Sequence, residues 1–424
     1  MLNRKIMPTI GTIDSIAIPQ YETILLENGV PLHVYTAGTQ PVVKLDIVFR
    51  GGRCSEEQRL AGTAAIKLLR EGTTTRTSAE IAEYLDFYGG TLYPTDSMDT
   101  TGFTLYCLSK HLEPLLQLVV DLLCQPLFPE NELQTYIENA QHGLRIDLDK
   151  NDTMAYRIAT AAVFGDEHPY GYNSTEEMYA QLTRAALIEY RNENFVAENC
   201  FTIASGQFGD TEKALIQQYL AKLPKSGKSP KSIVLPSKTP YSEHILHHSK
   251  KKSLQSAICL ARPFFNREHP DYIDATILNV VFGGYFGSRL MSNIREDKGY
   301  TYGIYSSIGR MKYDGYWLVS AEVGKKVAKN ALKEIYFEMD RLQSELISDT
   351  EMTLVRNYLM GQYLQQLDGV FSTSNVMREL INVELPMAFY EKMITRIKAI
   401  TPERLQELAK MYLCKVDFYE VVVG

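Results

Sequence analysis

Two stretches of this chain, beginning at positions 182 and 400, are built alike. LTRAALIEYRNENFVAENCFTIASG runs from Leu182 to Gly206, and ITPERLQELAKMYLCKVDFYEVVVG runs from Ile400 to Gly424, each 25 residues long. Each opens on an aliphatic residue followed by a threonine suited to cap a helix. Each continues in a helical pattern with a tyrosine near its end (Tyr190, Tyr412) and closes in a short strand-like run and a glycine. Between them, KLPKSGKSPKSIVLPSKTP, Lys222 to Pro240, has the Lys, Ser, Pro and Gly content of an exposed linker. At 424 residues the chain exceeds one ordinary core. The pattern predicts a duplicated unit of roughly 200 residues: a first domain over 1–221, a linker over 222–240 and a second domain over 241–424.

Local patterns fill in the two units. ETILLENGVPLHVYTA places two apolar runs around Asn28-Gly29 and predicts a hairpin with a type I′ turn. VVKLDIVFRGG reads as a strand, LAGTAAIKLLREGT as a helix running into a Gly-Thr stop, GTLYPTDSMDTTGFTLYCLS as strands, and HLEPLLQLVVDLLCQPLF as an amphipathic helix. In the second unit LQSAICLARPF predicts a strand and DYIDATILNVVFGG a helix. YTYGIYSSIGRMKYDGYWLVSAEV predicts two strands around Asp314-Gly315, and KNALKEIYFEMDRLQ a helix. Strands and helices cluster rather than alternate, so the expected class is α+β, each half a mainly antiparallel sheet packed with helices.

Composition excludes several functions. Lys+Arg 44 against Asp+Glu 51 gives a net charge of −7, which argues against nucleic acid or an anionic membrane as the main partner. The six cysteines include no CxxC pair and sit mostly in apolar runs, as buried thiols of a reducing compartment do. No apolar core follows the basic residues of MLNRKIMPTIGTID, and no window is long and apolar enough to span a bilayer, so the expected location is the cytoplasm. His244, His247 and His248, beside a lysine run near the linker, read as an exposed polar strand start. His33, His111, His142, His168 and His269 lack ligand spacing. FGGYFGS lacks the GxGxxG or GK[ST] context of a nucleotide loop.

The order of VFRGGRCSEEQRLAG, REGT, YGGTLYPTDSMDTTGF, HPYGYNSTEEM and GQFGD in the first half, and of VVFGGYFGSRLMSNIREDKGYTYGIYSS in the second, resembles the insulinase/pitrilysin peptidases. That family of "inverted" zinc peptidases includes the mitochondrial processing peptidase, and the resemblance covers nearly the whole chain. In the family the first-half helix carries H-x-x-E-H, two histidines for zinc and a glutamate as general base, with a further glutamate downstream as third ligand. Counting back from Gly72-Thr73, the three helix positions fall here on Thr63, Ile66 and Lys67, and the downstream ligand falls on Gly143. A hydroxyl, a hydrocarbon, a cation and no side chain are no zinc site, so the resemblance implies no metal in this chain. Glu138 and His142 lie near but out of register, and a displaced site built on them is the weakest reading. In LYPTD, Pro94 cannot donate to a β-ladder on the strand that pairs with substrate in active relatives.

The second half keeps what the first has dropped. Active relatives supply an arginine and a tyrosine seven residues apart, in a motif like LREKRGLAYSV, to the site opposite the zinc. IREDKGYTYGIYS places Arg295 and Tyr302 at that spacing. The resemblance therefore implies a non-catalytic subunit of a heterodimeric zinc peptidase. It would give Arg295, Tyr302 and half of a peptide chamber to a homologous partner that holds the zinc in an intact H-x-x-E-H. The alternative is a stand-alone peptide-binding or scaffold protein, self-associating as a homodimer, without hydrolase activity.

Overall fold

The computed structural model of the chain describes residues 13, 15–227, 233–251, 253–309 and 311–424. Residues 228–232 of the expected linker, and all but residue 13 of the 1–14 stretch read for a secretory signal, lie outside the described residues.

The duplication is realised strand for strand. The first sheet consists of β1 (Glu22–Leu25), β2 (Pro31–Thr36), β3 (Val42–Arg50), β4 (Thr91–Asp96), β5 (Thr100–Leu108) and β6 (Cys200–Gly206), in the order β1-β2-β6-β3-β5-β4. The second consists of β7 (Ile245–His248), β8 (Gln255–Phe264), β9 (Thr301–Ile308), β10 (Gly315–Gly324) and β11 (Tyr419–Val423), in the order β7-β11-β8-β10-β9. With β1 set aside the two orders superimpose. The closing strand of each half inserts between two earlier strands, parallel to one (β6 with β2, β11 with β7) and antiparallel to the other (β3, β8). The remaining pairs are antiparallel, so the α+β reading and the two-half architecture hold.

The repeated 25-residue stretches form the same helix and strand. Thr183 caps the helix Arg184–Asn194 by accepting from the Ala186 amide, and Thr401 caps Pro402–Tyr412 by accepting from the Arg404 amide. Pro402 costs nothing there, because the first turn has no intrahelical use for its amide. One local expectation is corrected. The β1–β2 hairpin is not closed by a type I′ turn. Asn28 does not adopt positive φ, and the Gly29 amide donates to Leu26 O at 2.8 Å while the Leu26 amide donates to Val30 O at 2.9 Å. This is a three-residue loop, a type I turn completed by Gly29 at φ 87°.

Each half lends the other a helix. Asn151–Phe164, from the first half, crosses to cover β8 and β11, with Ala155, Ala159, Ala162 and Val163 against Ala257, Cys259, Ala261 and Val421. Small residues on both surfaces allow that close approach. In return Val370–Asn382, from the second half, lies on β6 and β2. Beneath it sits a polar cluster: Lys44 Nζ is 2.8 Å from Asp46 Oδ2, and Arg378 Nη1 is 3.1 Å from Asp46 Oδ1. Lys44 also donates to Ser374 Oγ and Asn375 Oδ1. The halves are thus interlocked, and Lys67, Gly143 and Tyr302 emerge at surfaces beside the crossing helix Asn151–Phe164.

Candidate functional site

The helix at the expected zinc position is Ala61–Leu68, continued by a 3-10 turn over Leu69–Glu71 and stopped at Gly72, φ 145°. Its first turn is capped from outside, because it carries no acid of its own. Glu56 Oε2 accepts from the Leu60 amide and Oε1 from the Gly62 amide, both at 2.9 Å, and Tyr172 Oη donates to Oε2 at 2.7 Å. Burial raises the Glu56 pKa above the usual carboxylate value.

Ile66 is 0% exposed and belongs to the first-half core, Thr63 is half-buried, and Lys67 points outward. On a later helix, Glu130–Leu148, Gly143 faces open space, since an added Cβ would meet nothing within 4 Å. Lys67 and Gly143 line one cavity of about 530 Å³, while Thr63 and Ile66 stand outside it. The donor set does not fit zinc. A cation occupies one ligand position, a glycine another, and the position of the general base is sealed into the hydrocarbon core. Among the described residues no group of three or more His, Cys, Asp or Glu could hold a metal. Glu138 instead accepts from Gln134 Nε2 at 2.8 Å on its own helix.

Arg295 and Tyr302 are brought together. Arg295 lies in a π-helical segment, Met291–Asp297, a wide-turn geometry found often at functional positions. A second π-turn, Val280–Gly284, packs against β9, where a Cβ on Gly283 would come within 2.6 Å of Ser306 Cβ. The Arg295 guanidinium is sandwiched, 4.4 Å from the Phe286 ring centre and 5.5 Å from that of Tyr302. It makes no ion pair among the described residues.

A β-bulge aims Tyr302. Ile304 pairs with Ala321 and Thr301 with Val323, so three steps along β9 match two along β10. Regular pairing would set Tyr302 opposite Val323, facing the core. The extra residue puts Thr301 there and leaves Tyr302 92% exposed. Thr301 Oγ1 pins the bulge by donating to Glu322 O at 2.6 Å and accepting from the Gly303 amide at 3.1 Å. Tyr302 and Tyr305 then line a second cavity, about 890 Å³, between the crossing helix and β8–β10, with Asp152, Tyr156, Gln255 and Glu322 on its walls. Burial, and then Asp152, raise the Glu322 pKa above its ordinary value. The two cavities meet at Thr153 and Tyr156 on the crossing helix. An exposed phenol with a half-buried guanidinium beside it can donate hydrogen bonds to a carbonyl or anion presented from outside.

Sequence reasoning missed Phe286, the ring under Arg295, and Arg53 and Arg157, which share the cavity of Lys67. Phe286 lies in the FGGYFGS run already singled out, nine residues before Arg295, and could have been included on that ground. Arg53 and Arg157 carry no local pattern. The histidines behave as background: His33 and His168 are buried, His244 stacks on Tyr419, and His247 meets Glu420 at 3.2 Å. The six cysteines are free. Pro94 stands mid-strand in β4, the outer strand of the first sheet. Among the described residues no helix is long and apolar enough to cross a membrane.

Comparison with known proteins agrees with this geometry. The sequence pattern of the insulinase domain (peptidase family M16) matches residues 34–162, and that of the peptidase M16 inactive domain matches residues 181–359. The uncharacterized zinc protease YmxG of Bacillus subtilis is 23% identical over 391 residues, covering 91% of this chain and 93% of its own. An uncharacterized zinc protease of Rickettsia felis is 21% identical, covering 81% and 83%. A crystal structure of a peptidase M16 inactive domain from Pseudomonas fluorescens superimposes with a TM-score of 0.85 at 21% identity, covering 95% of this chain and 97% of that one. A protease from Helicobacter pylori superimposes with a TM-score of 0.87 at 14% identity, covering 96% and 100%. With both halves matched in order and the duplicated fold shared, the chain belongs to the insulinase family of peptidases, family M16.

Proposed function

We propose that this chain is the zinc-free subunit of a heterodimeric peptidase. A homologous partner carries an intact H-x-x-E-H, and this chain supplies Arg295, Tyr302 and half of the chamber that holds a peptide or unfolded polypeptide. The observation that carries the reading is the contrast between the two expected sites. Thr63, Ile66, Lys67 and Gly143 cannot ligate a metal, yet Tyr302 is turned outward by a bulge and stays 92% exposed with Arg295 stacked beside it. An exposed tyrosine beside a half-buried guanidinium that makes no ion pair among the described residues suits a group arriving from another chain. Aimed at the charge that builds on the scissile carbonyl, one such donor contributes roughly 2.7–4 kcal/mol.

The test is reconstitution. The chain alone should not cleave peptides, and mixing with the H-x-x-E-H partner should produce activity. Arg295→Ala and Tyr302→Phe should each lower turnover of the mixture by about 10²–10³. Wild-type rates from both mixtures would remove their assigned role. A second reading, a stand-alone peptide-binding protein that forms homodimers, is favoured by the two cavities meeting within one chain at Thr153 and Tyr156. Sedimentation of the chain alone and with the partner separates the two. The six free cysteines support a cytoplasmic location, for which cell fractionation is the check.

A further inference from the structure

We propose that the cavity standing where relatives ligate zinc has inverted its charge and binds a carboxylate of a peptide, held by Arg53, Lys67 and Arg157. All three cations line the 530 Å³ cavity, and none makes an ion pair with a carboxylate among the described residues. The two guanidiniums are held in place by neutral partners. Arg53 Nη1 donates to Tyr172 O at 3.1 Å, with its guanidinium 4.3 Å from the Tyr172 ring centre, and Arg157 Nη2 donates to Ser174 O at 2.5 Å. Backbone carbonyls and a ring position these groups; Glu56, outside the cavity lining, acts on Arg53 without forming an ion pair. The cavity's one acid, Asp147, is bound by Lys150 at 2.7 Å and acts on Arg157 only at longer range. Burial, and to a lesser extent Arg53, lower the Arg157 pKa below the ordinary arginine value, with Tyr179 and Asp147 acting against them.

The missing counterion identifies the ligand. Guanidinium groups prefer planar, two-oxygen acceptors, and charge-assisted hydrogen bonds to them are the strong ones. Tyr136 and Tyr179 add flat apolar wall for the chain that bears the carboxylate. Gly143 leaves the space that a third zinc ligand would fill. The shared chemistry is a carboxylate, either a peptide C-terminus or an Asp/Glu side chain. The inference names a ligand group for the chamber of the proposed function, but it rests on this chain's own cavity and is tested without a partner.

The experiment is calorimetric titration of the chain alone with four probes: N-acetyl-tetra-alanine with a free C-terminus, its C-terminal amide, the capped peptide acetyl-Ala-Ala-Glu-Ala-amide, and inorganic phosphate. At least one carboxylate-bearing peptide should bind about tenfold or more tightly than the neutral amide, with affinity falling as salt rises. Whichever of the two binds identifies the source of the carboxylate. Lys67→Glu should weaken binding about tenfold or more; Lys67 is exposed and makes no ion pair or side-chain hydrogen bond among the described residues, so its replacement leaves the fold intact. Arg157→Gln should act in the same direction, with circular dichroism confirming a folded chain. Equal affinity for acid and amide, no binding of either acid, unchanged affinity in both variants, or phosphate binding as tightly as the peptides would each overturn the assignment. Failure here with successful reconstitution of peptidase activity would leave the subunit reading standing; the reverse pattern would leave the carboxylate site standing.

Discussion

Replacing Asp46 by alanine tests how the two halves hold together. Asp46 is 0% exposed and accepts from Thr104 Oγ1 at 2.6 Å, Lys44 Nζ at 2.8 Å and Arg378 Nη1 at 3.1 Å, the last from the opposite half. Removing the carboxylate strands the Lys44 ammonium, 1% exposed, with only the neutral oxygens of Ser374 and Asn375. Deleting one partner of a buried pair costs about 3–5 kcal/mol, and the orphaned Thr104 hydroxyl adds about 1 kcal/mol. Arg378, at 31% exposure, swings into water at little cost. The variant should therefore lose about 4–6 kcal/mol in urea unfolding at pH 7. Burial already lowers the Lys44 pKa, and losing Asp46 removes what raises it. The folded variant then sheds that proton at lower pH than the unfolded chain does. The unfolded state binds more protons in that window, so stability rises with pH and the deficit should shrink between pH 7 and pH 10. Lys44→Met added to Asp46→Ala removes the stranded charge and should recover most of the loss. A single-variant loss below about 1 kcal/mol, or a double variant weaker than the single, would refute this account.

Two further predictions concern a histidine and the vacated ligand positions. Burial, helped by Arg50, lowers the His33 pKa from 6.5 to about 4, so the folded chain stays neutral there while the unfolded chain takes up a proton. Stability should fall by up to about 3 kcal/mol as pH drops from about 6.5 to about 4, and His33→Gln should flatten that acid limb in urea midpoints; parallel profiles would rule the histidine out. Because Lys67 is exposed and Gly143 faces open space, Thr63→His with Lys67→His and Gly143→Glu should take up chelator-sensitive zinc near one equivalent per chain by elemental analysis. No uptake would show that the register assigned to at least one of these positions is wrong.

The fold was legible where local chemistry repeats. Thr183 and Thr401 announce their helices, and the alternating apolar runs behind them become β6 and β11 in equivalent slots. The Asn28-Gly29 turn was read in place but not in type, because Asn-Gly also suits a longer loop in which glycine alone takes positive φ. The spacing of Arg295 and Tyr302 was legible, whereas their contact was not. It depends on a bulge set by strand register and on Phe286, both products of tertiary packing. Arg53 and Arg157 were invisible for the same reason. They are about a hundred residues apart in sequence, and only the crossing of Asn151–Phe164 over the second sheet brings them to one cavity.

The duplication makes one last comparison possible. β4 and β9 occupy the same outer position in the two sheets, and both are interrupted, β4 at mid-strand by Pro94 and β9 near its start by the bulge at Tyr302 and Gly303. Each device breaks the row of free amides and carbonyls that an extended partner would need. On the proposed function, a peptide meeting these edges would find no regular ladder at Pro94 or at the start of β9. What remains to hold it is side-chain chemistry on the walls: Tyr302, Tyr305 and Glu322 in one cavity, Arg53, Lys67 and Arg157 in the other. Backbone pairing is indifferent to sequence, whereas side-chain cavities discriminate by charge and shape. On the proposed function, discrimination among peptides would rest on the side chains of the two cavities, and Lys67→Glu with Arg157→Gln probes the basic one.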